Sequence, residues 1–408
     1  MDRAFPSTSA DIEQISETQL VLNMGPQHPS THGVLRLLLE TEGEQIVRSE
    51  TDVGYLHRGV EKLIEAHDYK GAITLTDRMD YTSAPANNLG YLMAVEKLLG
   101  ISDKIPLRAR YLRSLVGELS RLAGHHIWIG THALDLGAMS VFLYALRERE
   151  KILYLFEQAC GARLTTSFMR VGGTGPHDVG EAFIENVEEF LDGYTLREFD
   201  DILTDNEIFQ QRTRGIGVIT TEDALRWGLT GPCLRGSGVA WDLRKARPYA
   251  AYDLVEFDVP AYPEGDVYAR YRVRLNEMYQ AVRIIRQCVA ALRALPPQAP
   301  SNVLLPQAVP PDVARVPFDM EAMINHFKLV MHGLAPEAGE AYFALESPKG
   351  ELGYYFVSDG SGKPYRCHVR APSYVNLGIL DHTVRGTLIA DVVAIIGSID
   401  IVLGEVDR

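Results

Sequence analysis

Two histidines stand four residues apart in the stretch GPQHPSTHG, Gly25 to Gly33, braced by two prolines and two glycines. Imidazole titrates near neutral pH and ligates metals, so His28 and His32 suit proton handling or metal binding, and equally an ordinary structural role. A metal would need further ligands, which the pair alone does not supply. In RMDYTSAPANN, Arg78 to Asn88, Tyr81 follows a helical pattern beside charged and small residues. Its phenol can donate a hydrogen bond to a carbonyl-bearing ligand, or simply cover the edge of a core. In THALDLGAMS, Asp135 ends a long helical pattern, where its charge opposes the helix dipole. A carboxylate at that end points to a partner such as a histidine.

Other chemistries find no support. Neither GxxxxGK[ST] nor GxGxxG after a strand occurs, and the glycine-rich VGGTGPHDVG and LRGSG fit neither pattern. An NADH site of the usual kind is therefore absent. The net charge of -14 and a pI near 5.4 argue against a nucleic-acid partner, which needs clustered Lys and Arg. Cys160, Cys233, Cys288 and Cys367 form no CxxC pair, so neither a thiolate zinc site nor a self-contained iron-sulfur cluster is read here. Spread so thinly, they read as reduced thiols of a cytosolic protein. The opening MDRAFPSTSADIEQ lacks the basic flank and apolar core of a signal peptide, so the chain is expected to stay inside the cell. The most apolar stretch, Gly386 to Gly404, is interrupted by Asp391, Ser398 and Asp400 and reads as a core element rather than a membrane span. Membrane association would come through partners.

Hydrophobic periodicity outlines the elements that must hold these residues. From Gln19 to Gly54, short β-rich runs separated by glycine-containing turns such as TEGEQ predict an antiparallel sheet, with the histidine loop joining two strands. Val60, Leu63, Ile64 and His67 then fall at helical spacing. A long helix is expected from Leu107 to Leu134, with one stripe from Tyr111 through Leu115, Leu119, Leu122, His126, Ile127 and Ala133 facing the core. A second runs from Met139 to Cys160 and stops at Gly161, and a third follows Gly180. Asp266 is placed to cap another long helix, and Asp319 one through Met320, Met323, Ile324 and Phe327. Seven prolines between Pro296 and Pro317 separate those two helices. The reading is α+β: a β-rich region with the histidine loop over 1–70, a central long-helix bundle over 71–295, a Pro-rich linker over 296–318, and a helix with a smaller β-rich region over 319–408.

Eight motifs in order, MGPQHPSTHGVLRL, GYLHRGVEKL, RMDY, AVEKLLG, THALDLGAM, LRGSGVAWDLRKARPY, ESPKGELGYY and GEVDR, resemble the D-type subunit of respiratory complex I, the proton-translocating NADH:quinone oxidoreductase. That family resembles in turn the large subunit of nickel-iron hydrogenases, which holds its metals on two CxxC pairs near the chain ends. The corresponding stretches here look like RMDYTS and DIVLGE, without cysteine. The resemblance therefore implies a hydrogenase-like fold with a vacated metal cavity that takes a quinone headgroup, menaquinone or ubiquinone. It implies no metal or iron-sulfur cluster on this chain.

Carried over by motif, Tyr81 would hydrogen-bond one quinone carbonyl and His32 the other, each able to supply a proton as negative charge builds on the ring oxygens. Asp135 matches the aspartate that pairs with this histidine, orienting its ring and raising its pKa. His28 would shape the entrance or relay protons, and Thr131, one helical turn before Asp135, would line the cavity. Arg58 matches an arginine near the terminal 4Fe-4S cluster, which the adjacent B-type subunit carries. Thr165, in GARLTTSFMR, stands where many relatives carry a histidine close to that cluster. Threonine cannot couple cluster reduction to proton uptake, so a lower, less pH-dependent cluster potential is expected, matched to a low-potential quinone such as menaquinone. The C-type subunit, other peripheral-arm subunits and the membrane arm would be further partners, with the chain held peripherally on the cytoplasmic side of the bacterial plasma membrane. A ferredoxin-fed quinone reductase and a hydrogenase-type subunit of a membrane-bound complex are the alternatives.

Overall fold

The structure, a computed structural model, describes residues 12–14, 19–27, 33–175, 179–296 and 298–408. His28 and His32 lie outside the described residues. Strands β1 (Ile12–Gln14), β2 (Gln19–Met24), β3 (Arg36–Glu42) and β4 (Gln45–Asp52) form an antiparallel sheet in chain order. Gly43, at φ 62°, supplies the left-handed conformation that the two-residue β3–β4 turn needs. A second antiparallel sheet follows late in the chain, with β5 (Gly339–Ser347), β6 (Gly350–Ser358) and β7 (Arg366–Arg370).

Between and after the sheets run helices α1 (Val60–Ala66), α2 (Ala84–Leu98), α3 (Leu107–Asp135), α4 (Met139–Cys160), α5 (Glu181–Gly193), α6 (Val267–Ala294) and α7 (Met320–His332). Then come α8 (Pro372–Leu377), α9 (Ile389–Ile399) and α10 (Leu403–Asp407). The termini obey local chemistry. The Asp266 carboxylate accepts from the Ala269 amide at 2.7 Å, Asp319 accepts from the amides of Glu321 and Ala322, and Gly161 ends α4 at φ 75°.

One expectation changes. Helix α3 does not bury a single stripe: every residue from Leu112 to Ala123 is buried, charged ones included, and Ile127 is half-exposed. Arg113 reaches Glu96 at 2.6 Å and Arg121 reaches Glu118 at 3.2 Å, so polar side chains occupy the interior as ion pairs and mask the apolar period. Helix α7 behaves oppositely. Its apolar residues face outward, and only Ala322 is buried.

Among the described residues two large apolar cores result. The larger joins α2 to α6 with β5–β7. The other joins the first sheet, through Leu37, Leu39 and Ile46, to the C-terminal segment, through Val384, Val392, Ile395 and Ile399. Backbone bonds stitch this second core, Ile46 N–H to Thr387 O at 2.9 Å and Gly386 N–H to Ile46 O at 2.8 Å. Among the described residues no helix is long and apolar enough to cross a membrane.

Candidate functional site

Tyr81 is set by the residue before it. Asp80 is fully buried and its Oδ1 accepts from the Thr82 amide at 3.0 Å and the Thr82 hydroxyl at 2.6 Å. This closed turn points Tyr81 outward, where it is 38% exposed at the entry to α2. Helix α10 passes directly beneath. A Cβ on Gly404 would stand 2.6 Å from the Met79 carbonyl oxygen, so glycine permits the contact. Arg58 clamps the same junction, its Nη2 donating to Arg78 O at 2.7 Å and to Gly404 O at 3.3 Å. Partial burial raises the Tyr81 pKa, Asp80 adds to the shift, and the cations of Lys349 and Arg58 oppose it.

Lys349 reaches this place from the β5–β6 turn. Gly350, at φ 136°, lets the turn press against Gly231, whose Cβ would meet the Gly350 Cα at 2.4 Å. Lys349 is thereby 1% exposed and donates from Nζ to Asp400 Oδ1 at 2.5 Å. Arg274 of α6 stands 3.6 Å from the other oxygen of Asp400. Asp400 adopts the left-handed conformation at φ 62°, which aspartate tolerates better than most residues. Glu405 Oε2 accepts from the Ser373 amide at 3.2 Å. Burial, then the charge of Asp80, pushes the Glu405 carboxyl up to about 8.

Arg58, Tyr81 and Lys349 therefore form one neighbourhood. Asp135 and Thr131 stand elsewhere, at the C-terminal end of α3, where Thr131 donates to Ile127 O at 2.9 Å. Asp135 is half-buried, and desolvation raises its carboxyl to about 6. Their end of α3 connects back through Trp128, whose Nε1 donates to Gly397 O at 2.6 Å and whose ring lies 4.5 Å from the Arg274 guanidinium. Thr165 is half-exposed in the loop after α4, beside Thr166, whose carbonyl accepts from Asn88 at 2.7 Å.

Sequence reasoning missed Asp80, Lys349, Asp400, Glu405 and Arg274 as members of this site. Their signal was present: Lys349 and Glu405 sit inside quoted motifs, and Asp400 breaks an apolar stretch. A second buried ionic network escaped too. Arg235 pairs with Glu277 at 2.5 Å and Glu346 at 2.7 Å, and Arg244 pairs with Asp242 at 2.6 Å and Glu118 at 3.1 Å. Among the described residues no group of three or more His, Cys, Asp or Glu side chains is placed to hold a metal.

Residues 135–408 match the family model of the respiratory-chain NADH dehydrogenase 49 kDa subunit. A D-type subunit of NADH-quinone oxidoreductase from Roseiflexus castenholzii is 52% identical over 403 residues, covering 98% of this chain and 95% of its own. The D-type subunit from Thermodesulfovibrio yellowstonii is 50% identical over 410 residues, covering 98% and 99%. That from Geotalea uraniireducens is 51% identical over 391 residues, covering 95% and 98%. The class is that of a subunit of a multisubunit oxidoreductase. The chain belongs to the 49 kDa subunit family of the respiratory-chain NADH dehydrogenase.

Proposed function

We propose that this chain, a core subunit of complex I, forms the quinone headgroup pocket together with a partner that carries a 4Fe-4S cluster, and couples quinone reduction to proton translocation. The observation that carries the reading is the junction of RMDYTS with DIVLGE. These are the stretches that the hydrogenase resemblance assigns to vacated metal ligands, and they meet at Met79 and Gly404 although they lie far apart in the chain. Tyr81 stands at that junction with a partly exposed phenol. A ring that meets it needs a second wall, which favours a site shared with another subunit over one enclosed by this chain.

In this reading Tyr81 donates to one ring oxygen and His32 to the other. Two-electron reduction places negative charge on both oxygens, so the donors bind the product more strongly than the substrate. The cations of Lys349 and Arg58 work in the same direction, since each favours a phenolate on Tyr81. Asp135 receives the charge of His32, and the ionisation it holds near neutral pH makes it responsive to that proton. Arg58 and Thr165 border the partner's cluster, and His28 and Thr131 line the approach. The cluster-bearing B-type subunit and the C-type subunit are the nearest partners, and the chain lies on the cytoplasmic side of the membrane. The fold is that of a hydrogenase large subunit.

Tyr81→Phe in the assembled complex tests this. Removing the phenolic donor is expected to lower kcat for quinone reduction at least about tenfold while electrons still reach the partner's cluster. Unchanged kcat, or a cluster that no longer becomes reduced, contradicts the assignment.

A further inference from the structure

Behind Tyr81 lie two carboxyl groups that the function above leaves unused. Asp80 and Glu405 are each fully buried, one in the loop that carries Tyr81 and one on α10. The contact of Gly404 with Met79 brings the two segments together. Each carboxyl uses one oxygen, Asp80 toward Thr82 and Glu405 toward the Ser373 amide. Asp80 Oδ2 and Glu405 Oε1 are buried and have no hydrogen-bond partner among the described residues. Two ionised carboxylates cannot share such a place at low cost, because burial disfavours both charges and the Lys349 cation, paired to Asp400, offsets their repulsion only in part. Among the described residues the ion pairs of Lys349 and Arg274 go to Asp400 rather than to Asp80 or Glu405.

We propose that Asp80 and Glu405 share one proton, and that this proton replaces the one Tyr81 gives to the reduced quinone. The inference rests on the reading that Tyr81 meets the headgroup. Two electrons arrive from the partner's cluster and two protons complete the quinol. One proton leaves Tyr81 Oη as its O–H bond breaks and a new O–H bond forms on a ring oxygen. The phenolate then takes the proton that this carboxyl pair holds, with Lys349 stabilising its charge meanwhile. Both carboxyls are left ionised until a proton enters from solvent. The groups facing Glu405 bear on this exchange: Asp80, Lys349 from the β5–β6 turn, Ser373 of α8 and the buried Tyr354 of β6. Burial with the charge of Asp80 keeps the Glu405 carboxyl protonated at neutral pH.

Glu405→Gln in the assembled complex keeps the size of the side chain and an oxygen for the Ser373 amide but carries no transferable acid proton. Turnover is expected to fall about tenfold or more with KM for quinone held, and kcat is expected to lose a titration on the alkaline side. Glu405→Asp should restore part of that pH profile. In parallel, infrared difference spectra of complex labelled with carbon-13 glutamate should show a protonated carboxyl band lost on quinone reduction, and Glu405→Asp should move it out of the glutamate label. This band can be sought in the unsubstituted complex if a variant does not assemble. An unchanged kcat profile in Glu405→Gln beside a slow Tyr81→Phe removes the relay and leaves the headgroup site standing. A raised KM with unchanged kcat, or no glutamate band on reduction, also overturns it. Failure of the site itself shows differently, as a Tyr81→Phe complex with full turnover.

Discussion

A neutral imidazole is the form of His125 that fits its surroundings. Burial pulls its pKa down to about 4 although Nε2 lies 3.0 Å from Glu277, whose carboxylate is held ionised chiefly by Arg235. Nε2–H then donates to that carboxylate, and Nδ1, buried and without a partner among the described residues, presents only a lone pair. Arg235 is the residue on which this arrangement turns. It donates to Glu277, to Glu346 and to Trp241 O, with no exposed surface of its own. Arg235→Ala would strand two buried carboxylates, and the expected cost is about 3–5 kcal/mol. Equilibrium unfolding or a thermal scan of the complex reads this, and a loss well under 1 kcal/mol would mean that the network relaxes around the gap. Arg235→Lys should recover little, since an ammonium cannot reproduce the planar fork.

At the scale of elements, the glycine contacts decide whether the site forms. Gly404→Ala places a Cβ 2.6 Å from the Met79 carbonyl, so α10 must move away from the loop that carries Asp80 and Tyr81. Reduced turnover is expected with the bundle intact, seen as unchanged far-ultraviolet circular dichroism beside a kcat lowered at least about tenfold. Full activity in Gly404→Ala would show that the junction tolerates separation. Elements of this kind were only partly legible in the sequence. The caps at Asp266 and Asp319 and the Gly161 stop are dictated by residues within a few positions of each other, and the structure has them where the sequence places them. The one-stripe reading of α3 failed because Arg113, Glu118 and Arg121 are buried through partners that lie outside any local window, such as Glu96 and Arg244. Lys349, Asp400 and Glu405 escaped for the same reason. Their meaning depends on a turn, a helix end and a C-terminal segment that converge only after folding, whereas Tyr81 and Asp135 are marked locally, by a phenol after a helical pattern and a carboxylate at a helix end, and Arg58 entered through a resemblance alone.

For the whole molecule, the C-terminal segment shares a core with the first sheet, so protons held there bear on global stability. Glu405 keeps its proton in the folded chain to about pH 8, while the unfolded carboxyl loses it near its ordinary value of 4.5. The folded state therefore binds more protons across that window. The stability this proton contributes is present at acid pH and is lost as pH rises from 4.5 through about 8. His125 and His126 run the other way. Burial lowers them to about 4 and about 3, so the unfolded chain takes up protons first and stability falls as pH drops below 6.5. The histidine contributions level off about a unit above 6.5, and they cancel in a comparison with Glu405→Gln. The difference in unfolding free energy between the unsubstituted protein and Glu405→Gln should then change toward the variant by up to about 1.4 kcal/mol per pH unit between 6.5 and 8, and level off beyond. A difference that stays flat across that interval would mean that Glu405 is already ionised in the folded protein.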